Sequence, residues 1–85
     1  MNLEDYRMEI DRVNREIADA VSRRMNVVDE IATYKEQNGM DVVDESREEE
    51  VKQQFEKLFK DEDLPPEKGR EMAELLIEIA TERQK

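Results

Sequence analysis

The chain has 85 residues and a formal net charge of −10, from 24 acidic and 14 basic side chains. A chain of this length forms one small domain at most, and its acidic surface repels nucleic acid and anionic lipid. No apolar run approaches the roughly 20 residues that span a bilayer, and the N-terminus has no signal-peptide pattern. We therefore expect a soluble cytoplasmic protein that binds neither nucleic acid nor membranes.

The sequence contains neither cysteine nor histidine. It therefore has no thiolate nucleophile, no zinc-thiolate site and no imidazole to act as a general base or metal ligand. The acidic runs Glu48-Glu49-Glu50 and Asp61-Glu62-Asp63 lack the ligand spacing of a calcium loop. We expect no metal and no cofactor, and any chemistry must use binding, electrostatics, carboxylates or lysine.

Apolar residues from Leu3 to Tyr34 recur in heptads without an intervening glycine or proline. The pattern predicts one helix over about 3–38, ended by Gly39. The heptad positions are Leu3, Ile10, Ile17, Arg24 and Ile31, with Tyr6, Val13, Ala20, Val27 and Tyr34. Such a helix is about 50 Å long, too long for the rest of one chain to cover. We expect its surplus to pack on a second copy of the chain.

A second helix is predicted over about 45–61, after a short extended connection. Either Asp44 alone or Ser46 with Glu49 would cap its first turn. Its expected core face consists of Val51, Phe55, Leu58 and Phe59.

A third helix is predicted over about 66–84, because Pro65-Pro66 is tolerated where a helix opens. Gly69 weakens its first turns slightly. Its expected core residues are Met72, Leu75, Leu76 and Ile79. Since no strand pattern is present, residues 1–85 are expected to form one all-α domain.

Arg24 occupies a core position, where a buried charge costs several kcal/mol unless it is paired. The eleven residues from Arg24 to Lys35 turn through roughly 1100°, so both cations lie on nearly one face, about 16 Å apart. The apolar residues between them are Val28, Ile31 and Ala32. Two cations beside a small apolar patch are typical of a pocket for a small anion with an apolar centre.

Each polar residue near a core stripe also has a simpler interpretation. Arg24 by itself more often sets helix register, and Lys35 is an ordinary cation near a helix C-terminus. Arg47 and Glu48 fit a charged first turn, and a terminal Gln84 means little alone. The pattern of residues therefore predicts a dimeric helical bundle with a candidate anion pocket.

Arg7 precedes Arg24 by 17 residues, which is about 25 Å along a straight helix and about 100° from its face. The two side chains cannot reach the same small ligand from one helix. In an antiparallel dimer, Arg7 of the partner chain could reach it.

The active-site signature of the all-α chorismate mutases is similar to an ordered set of seven residues in this chain. These residues are Arg7, Arg24, Lys35, Asp44, Arg47, Glu48 and Gln84. The resemblance covers essentially the whole chain. The chain is similar in form to the mutase domain at the front of bacterial chorismate mutase–prephenate dehydratase proteins. It includes the strings Tyr6-Arg7-Met8-Glu9-Ile10-Asp11, Arg23-Arg24 and Asp44-Glu45-Ser46-Arg47-Glu48.

The resemblance implies an intertwined homodimer of three-helix chains with two active sites, each taking Arg7 from the partner chain. The implied reaction is the Claisen rearrangement of chorismate to prephenate, an isomerisation in phenylalanine and tyrosine biosynthesis. Arg7 and Arg24 would bind the two carboxylates of the substrate, with Arg47 in support. Lys35 and Gln84 would donate hydrogen bonds to its ether oxygen. This bond exchange needs no nucleophile, metal or proton transfer, in keeping with the composition.

The resemblance also implies that Glu48, with Asp44 nearby, holds the ring hydroxyl of the substrate. The chain departs from the family pattern at Ala80, where a small hydroxyl side chain is expected four residues before Gln84. Thr81 lies beside this position. A hydrogen bond to a substrate carboxylate is therefore expected to be missing.

Two alternatives stay open. Isochorismate-pyruvate lyase shares this fold and much of the pocket, and Glu48 favours the mutase only modestly. The non-enzymatic alternative is a helical association module without turnover. It predicts that no anion binds and that truncating Arg24 leaves the stability unchanged or improved.

Overall fold

The computed structural model describes residues 1–83, which form three helices. α1 spans Leu3–Gln37, α2 spans Glu45–Asp61 and α3 spans Pro66–Arg83. Residues 1–83 contain no strand, so the prediction of an all-α chain with one very long helix is confirmed. No helix in this range is long and apolar enough to cross a membrane.

Local hydrogen bonds close both ends of α1. The Asn2 side chain accepts from the Asp5 N–H at 3.0 Å, while the Asp5 carboxylate accepts from the Asn2 N–H at 3.1 Å. At the other end, Gly39 adopts a φ of +63°, and the Met40 N–H donates to the Lys35 carbonyl at 2.8 Å. The first two bonds satisfy N–H groups and the third satisfies a carbonyl that a helix end leaves unpaired, so α1 ends where Gly39 predicts.

α2 and α3 form a helical hairpin that is tightest at Gly69. A methyl group on Gly69 would lie 2.5 Å from the Phe55 carbonyl oxygen and 2.8 Å from Cγ of Phe59. Only a hydrogen atom fits between the helices there. Gly69 therefore allows the close approach of α2 and α3, a role that its low helix propensity conceals in the sequence.

The core within one chain is small. Its buried apolar side chains are Met25, Val51, Ala73 and Leu76. The prediction that Met72 and Leu75 are buried is wrong within the single chain, where they are 44% and 55% exposed. The close approach at Gly69 turns the small-residue stripe through Ala73 toward the other helices and rotates these two side chains outward. Leu58 of α2 is likewise exposed rather than buried.

The first half of α1 lies outside this core. Every residue from Met1 to Ala20 is exposed. The large heptad side chains left exposed along α1 are Leu3, Tyr6, Ile10, Val13, Ile17, Val27, Ile31 and Tyr34. The described chain is accordingly elongated, with a radius of gyration of 16.0 Å against about 12 Å for a compact chain of this length.

The second half of α1 has two different faces. Met25 is 2% exposed, and Val28 and Ala32 are half-buried where α1 meets the hairpin. Val27 and Ile31, on the heptad face, are 53% and 48% exposed. One face of α1 thus completes the core of its own chain, and the heptad face remains uncovered by residues 1–83.

Gly69→Ala is expected to lower the free energy of unfolding by about 1–3 kcal/mol, because the added methyl group would press on backbone atoms of α2. In an uncrowded helix the same substitution would raise stability by about 1 kcal/mol. The sign of the change therefore tests the close approach. Urea unfolding followed by circular dichroism measures it, and a gain in stability would contradict the packing described here.

Candidate active site

A cavity of about 180 Å³ lies where the three helices meet the connection between α1 and α2. Its walls consist of Val28, Ile31, Ala32, Lys35, Val42, Val43, Asp44, Arg47, Glu48, Ile77, Ala80 and Thr81. Four of the residues selected from the sequence, Lys35, Asp44, Arg47 and Glu48, are therefore brought together in one cavity. The small apolar residues between Arg24 and Lys35 form its floor, as the helical stripe predicts.

The start of α2 places two of these charged side chains. Asp44 is the N-cap, and its Oδ1 accepts from the Arg47 N–H at 3.1 Å. Of the two predicted caps, Asp44 alone is the one formed. The Arg47 guanidinium also donates to Glu50 at 3.1 Å. The cap thereby fixes the first turn of α2, which brings Arg47 and Glu48 into the cavity wall.

Lys35 closes the cavity at the end of α1. Its half-buried side chain donates from Nζ to the Val42 carbonyl at 3.2 Å. This bond ties the connection after α1 back onto the helix. It also holds the ammonium group at the cavity wall, where it can donate to a ligand with its remaining protons.

Arg24 lies beside the cavity rather than in its wall. Partial burial and, secondarily, the Arg47 guanidinium lower the pKa of Arg24. Within residues 1–83, Arg24 forms no ion pair. Two neighbouring guanidiniums repel each other, and an anion bound between them would relieve the repulsion. The arrangement can therefore bind a carboxylate.

Two residues selected from the sequence do not join this group. Arg7 lies on the exposed first half of α1 and is not a lining residue of the cavity of its own chain. Gln84 lies outside the described residues. The structure of one chain thus contributes five of the seven selected residues to the cavity or its border.

Sequence reasoning missed part of the wall. Val42 and Val43 line the cavity from the extended connection, and Ile77 lines it from α3. The two adjacent valines directly before the N-cap Asp44 were the signal that could have identified the connection as part of the cavity wall. Ile77 gave no signal, because it follows two equally apolar residues, Leu75 and Leu76, and only the packing of α3 selects its face.

The structure also shows the consequence of Ala80. Thr81 borders the cavity too, but its hydroxyl donates to the Ile77 carbonyl at 3.0 Å. Since a hydroxyl carries a single proton, this bond uses the one donor that Thr81 has. Thr81 therefore does not replace the hydroxyl donor that the family pattern leads us to expect at Ala80.

The comparisons with known proteins identify the family. The family model described as chorismate mutase type II matches residues 6–85, nearly the whole chain. The chain therefore belongs to the chorismate mutase type II family and is an isomerase with chorismate as its substrate, as the resemblance predicts. Searches of curated proteins and of solved structures gave no match.

Arg24→Met should remove ligand binding without destabilising the fold. Without ligand, the free energy of unfolding is expected to stay unchanged or to rise by up to about 1 kcal/mol, because a partly desolvated charge is lost. The dicarboxylate product prephenate is expected to raise the thermal midpoint of the original protein, and this rise should disappear in Arg24→Met. Arg15→Met, at an exposed arginine of the same helix, is the control. Equal stabilisation of Arg24→Met by prephenate would place the ligand elsewhere.

Proposed function

We propose that residues 1–85 act as a single domain which, as a homodimer, rearranges chorismate to prephenate in two sites shared between the chains. The family match supports the substrate and the reaction. The observation that carries the assignment of residues is the cavity where Lys35, Arg47 and Glu48 meet, with Arg24 at its border. The cytoplasmic location expected from the composition stays a prediction.

The rearrangement breaks the ether C–O bond and forms a C–C bond within one molecule. As the C–O bond breaks, negative charge builds on the ether oxygen, so a hydrogen-bond donor aimed there stabilises the transition state. We assign this role to Lys35, whose ammonium is held at the cavity wall by the Val42 carbonyl. The second donor we propose is Gln84, an assignment supported by the resemblance to the family.

The charges around the cavity match a dianionic substrate only when a second chain contributes. Three side chains at the site are positively charged, namely Arg24, Lys35 and Arg47. Two are negatively charged, the carboxylates of Asp44 and Glu48. One chain therefore has a single excess positive charge at the site, and the pairing of Arg47 with Glu50 reduces it further. A partner chain's arginine at position 7 would add positive charge for the carboxylates of chorismate.

The area of the chain supports the dimer. The accessible surface is 7005 Å², whereas a compact monomer of 10.1 kDa exposes about 5,300 Å². The excess, about 1,700 Å² per chain or about 3,400 Å² per pair, lies within the range of obligate homodimer interfaces. Eight large apolar side chains are exposed along the heptad face of α1, so we propose that two copies pair along this face.

An antiparallel pairing of two α1 helices also accounts for Arg7. If the pair crosses near residue 15, positions 7 and 24 of opposite chains lie side by side, because both are about eight residues from the crossing. The cavity in one chain is smaller than the roughly 300 Å³ usual for a ligand site and is open on one side. The partner helix would supply the missing wall and the arginine together.

A product assay tests this function against its alternatives. The protein is incubated separately with chorismate and isochorismate, and the products are identified. Prephenate from chorismate supports the proposal. Pyruvate with salicylate from isochorismate would assign the lyase, and loss of neither substrate would leave a helical association module.

Lys35→Ala is expected to lower kcat by about 10²-fold or more, because the lost donor acts in the transition state. The helical circular dichroism signal should not change, since Lys35 packs little. Lys60→Ala, at a cation in the last turn of α2, is the matched control and should keep full activity. A Lys35→Ala enzyme that retains more than half of the activity would remove Lys35 from the mechanism.

The shared site predicts complementation between two inactive variants. When Arg7→Ala and Lys35→Ala chains are unfolded together in equal amounts and refolded, about half of the dimers should be mixed. Each mixed dimer has one site with both residues intact and one site with both lesions, so about a quarter of all sites should regain activity. Recovery no greater than the sum of the separate variants would rule out a site completed by the partner's Arg7.

A further inference from the structure

We propose that Arg83 is a positioning residue, which docks the end of α3 onto α1 beside the cavity and acts on the reaction through Gln84. Gln84 directly follows Arg83 in the sequence. This inference rests on the proposed role of Gln84 as a hydrogen-bond donor to the ether oxygen. It assigns Arg83 no contact with the substrate.

The contact itself joins the last residue of α3 to the second half of α1. Nη2 of Arg83 lies 2.9 Å from Oδ2 of Asp29 and 3.4 Å from Oδ1 of Asn26. Asn26 and Asp29 are three residues apart, so they lie on the same face of α1, one turn from each other. One guanidinium nitrogen of Arg83 therefore contacts two side chains of α1. The side chains of the ion pair are partly exposed, Arg83 at 46% and Asp29 at 44%.

Within residues 1–83, this is the one ion pair that joins α1 to another helix. The other ion pairs lie within single helices or link α2 to α3, as Arg70 does with Glu49 and Glu56. α3 packs far more extensively on α2 than on α1. The position of the end of α3 relative to α1 therefore depends strongly on Arg83.

The ion pair stands next to the cavity on both helices. On α1, Asp29 follows the wall residue Val28 and precedes Ala32 by one turn; on α3, Arg83 follows Ala80 by three residues. The contact thus sets the separation of the two walls. Without it, the last turn of α3 would fray readily, because the final carbonyls of a helix have no partners within the helix and the terminal cation would be gone.

Catalysis is more sensitive to this position than substrate binding is. A donor must meet the ether oxygen in the transition state to within about half an ångström, and a misplacement of about 1 Å can cost about 100-fold in rate. The cations that we assign to the carboxylates, Arg24 and Arg47, belong to α1 and α2. Loss of the Arg83 contact should therefore affect kcat and leave KM almost unchanged.

The first test compares three variants of the full chain in the chorismate assay. Arg83→Ala is expected to lower kcat about 10-fold with KM within about 2-fold of the original. Arg83→Lys, which keeps a cation within reach of Asp29, should recover most of the rate. The control Lys68→Ala removes the 3.0 Å ion pair with Glu71 from the same helix, at the same cost in net charge, and should not change kcat.

The second test asks whether Arg83 acts through Gln84. In a Gln84→Ala background, Arg83→Ala should cause little further loss, because the group that it positions is already gone. Equal fold losses in both backgrounds would overturn the inference. So would an Arg83→Ala protein with a lower thermal midpoint and an unchanged kcat, since that result would make the ion pair merely stabilising.

A third measurement separates this inference from the proposed function. Amide hydrogen exchange of Ala80 and Thr81 needs no substrate, and it should accelerate in Arg83→Ala but not in Lys68→Ala. If the original protein fails to convert chorismate, the proposed function is wrong whatever the exchange rates are. If it converts chorismate and the exchange rates do not change, the docking role of Arg83 is wrong.

Discussion

A helix of 35 residues presents more apolar surface than helices of 17 and 18 residues can cover. α1 uses one face, around Met25, to complete the core of its own chain, and its heptad face is left to solvent in the single chain. The elongated shape and the small core both follow from this imbalance. The same long helix separates Arg7 from Arg24, which is why the proposed site takes Arg7 from a second chain.

The site gathers positive charge in a protein whose net charge is −10. Burial and, secondarily, the neighbouring Arg47 lower the pKa of Arg24, so the charged form of Arg24 is disfavoured within the single chain. Arg47 is paired with Glu50 in the single chain, whereas Arg24 has no ion pair within residues 1–83, so an anion bound beside Arg24 would supply the interaction that it lacks.

The hairpin supplies the rigid side of the site. Gly69 brings α2 and α3 into contact, and Arg70 joins them through hydrogen bonds to Glu49 and Glu56, which raise the pKa of Arg70. These contacts fix α2 and α3 against each other near the start of α3. Their attachment to α1 then depends on the buried contact at Met25 and on the Arg83 ion pair.

Local features of the sequence determined the helices and half of the site. The heptads, Gly39, Asp44 and Pro66 act through neighbouring residues, so the number of helices and the ends of α1 and α2 could be predicted without a fold. Helical periodicity likewise put Lys35 and the small apolar residues before it on one face. Contacts within a few turns of a helix depend only on spacing, and spacing is visible in the sequence.

The tertiary structure decided which face of each helix is covered. Met72 and Leu75 have the spacing of core residues, yet the approach at Gly69 turns Ala73 inward in their place. The Arg83 contact with Asn26 joins residues 57 positions apart, and no local sequence pattern predicts this contact. The rotation of a helix about its axis depends on how side chains of different helices fit together, and a single sequence does not display that fit.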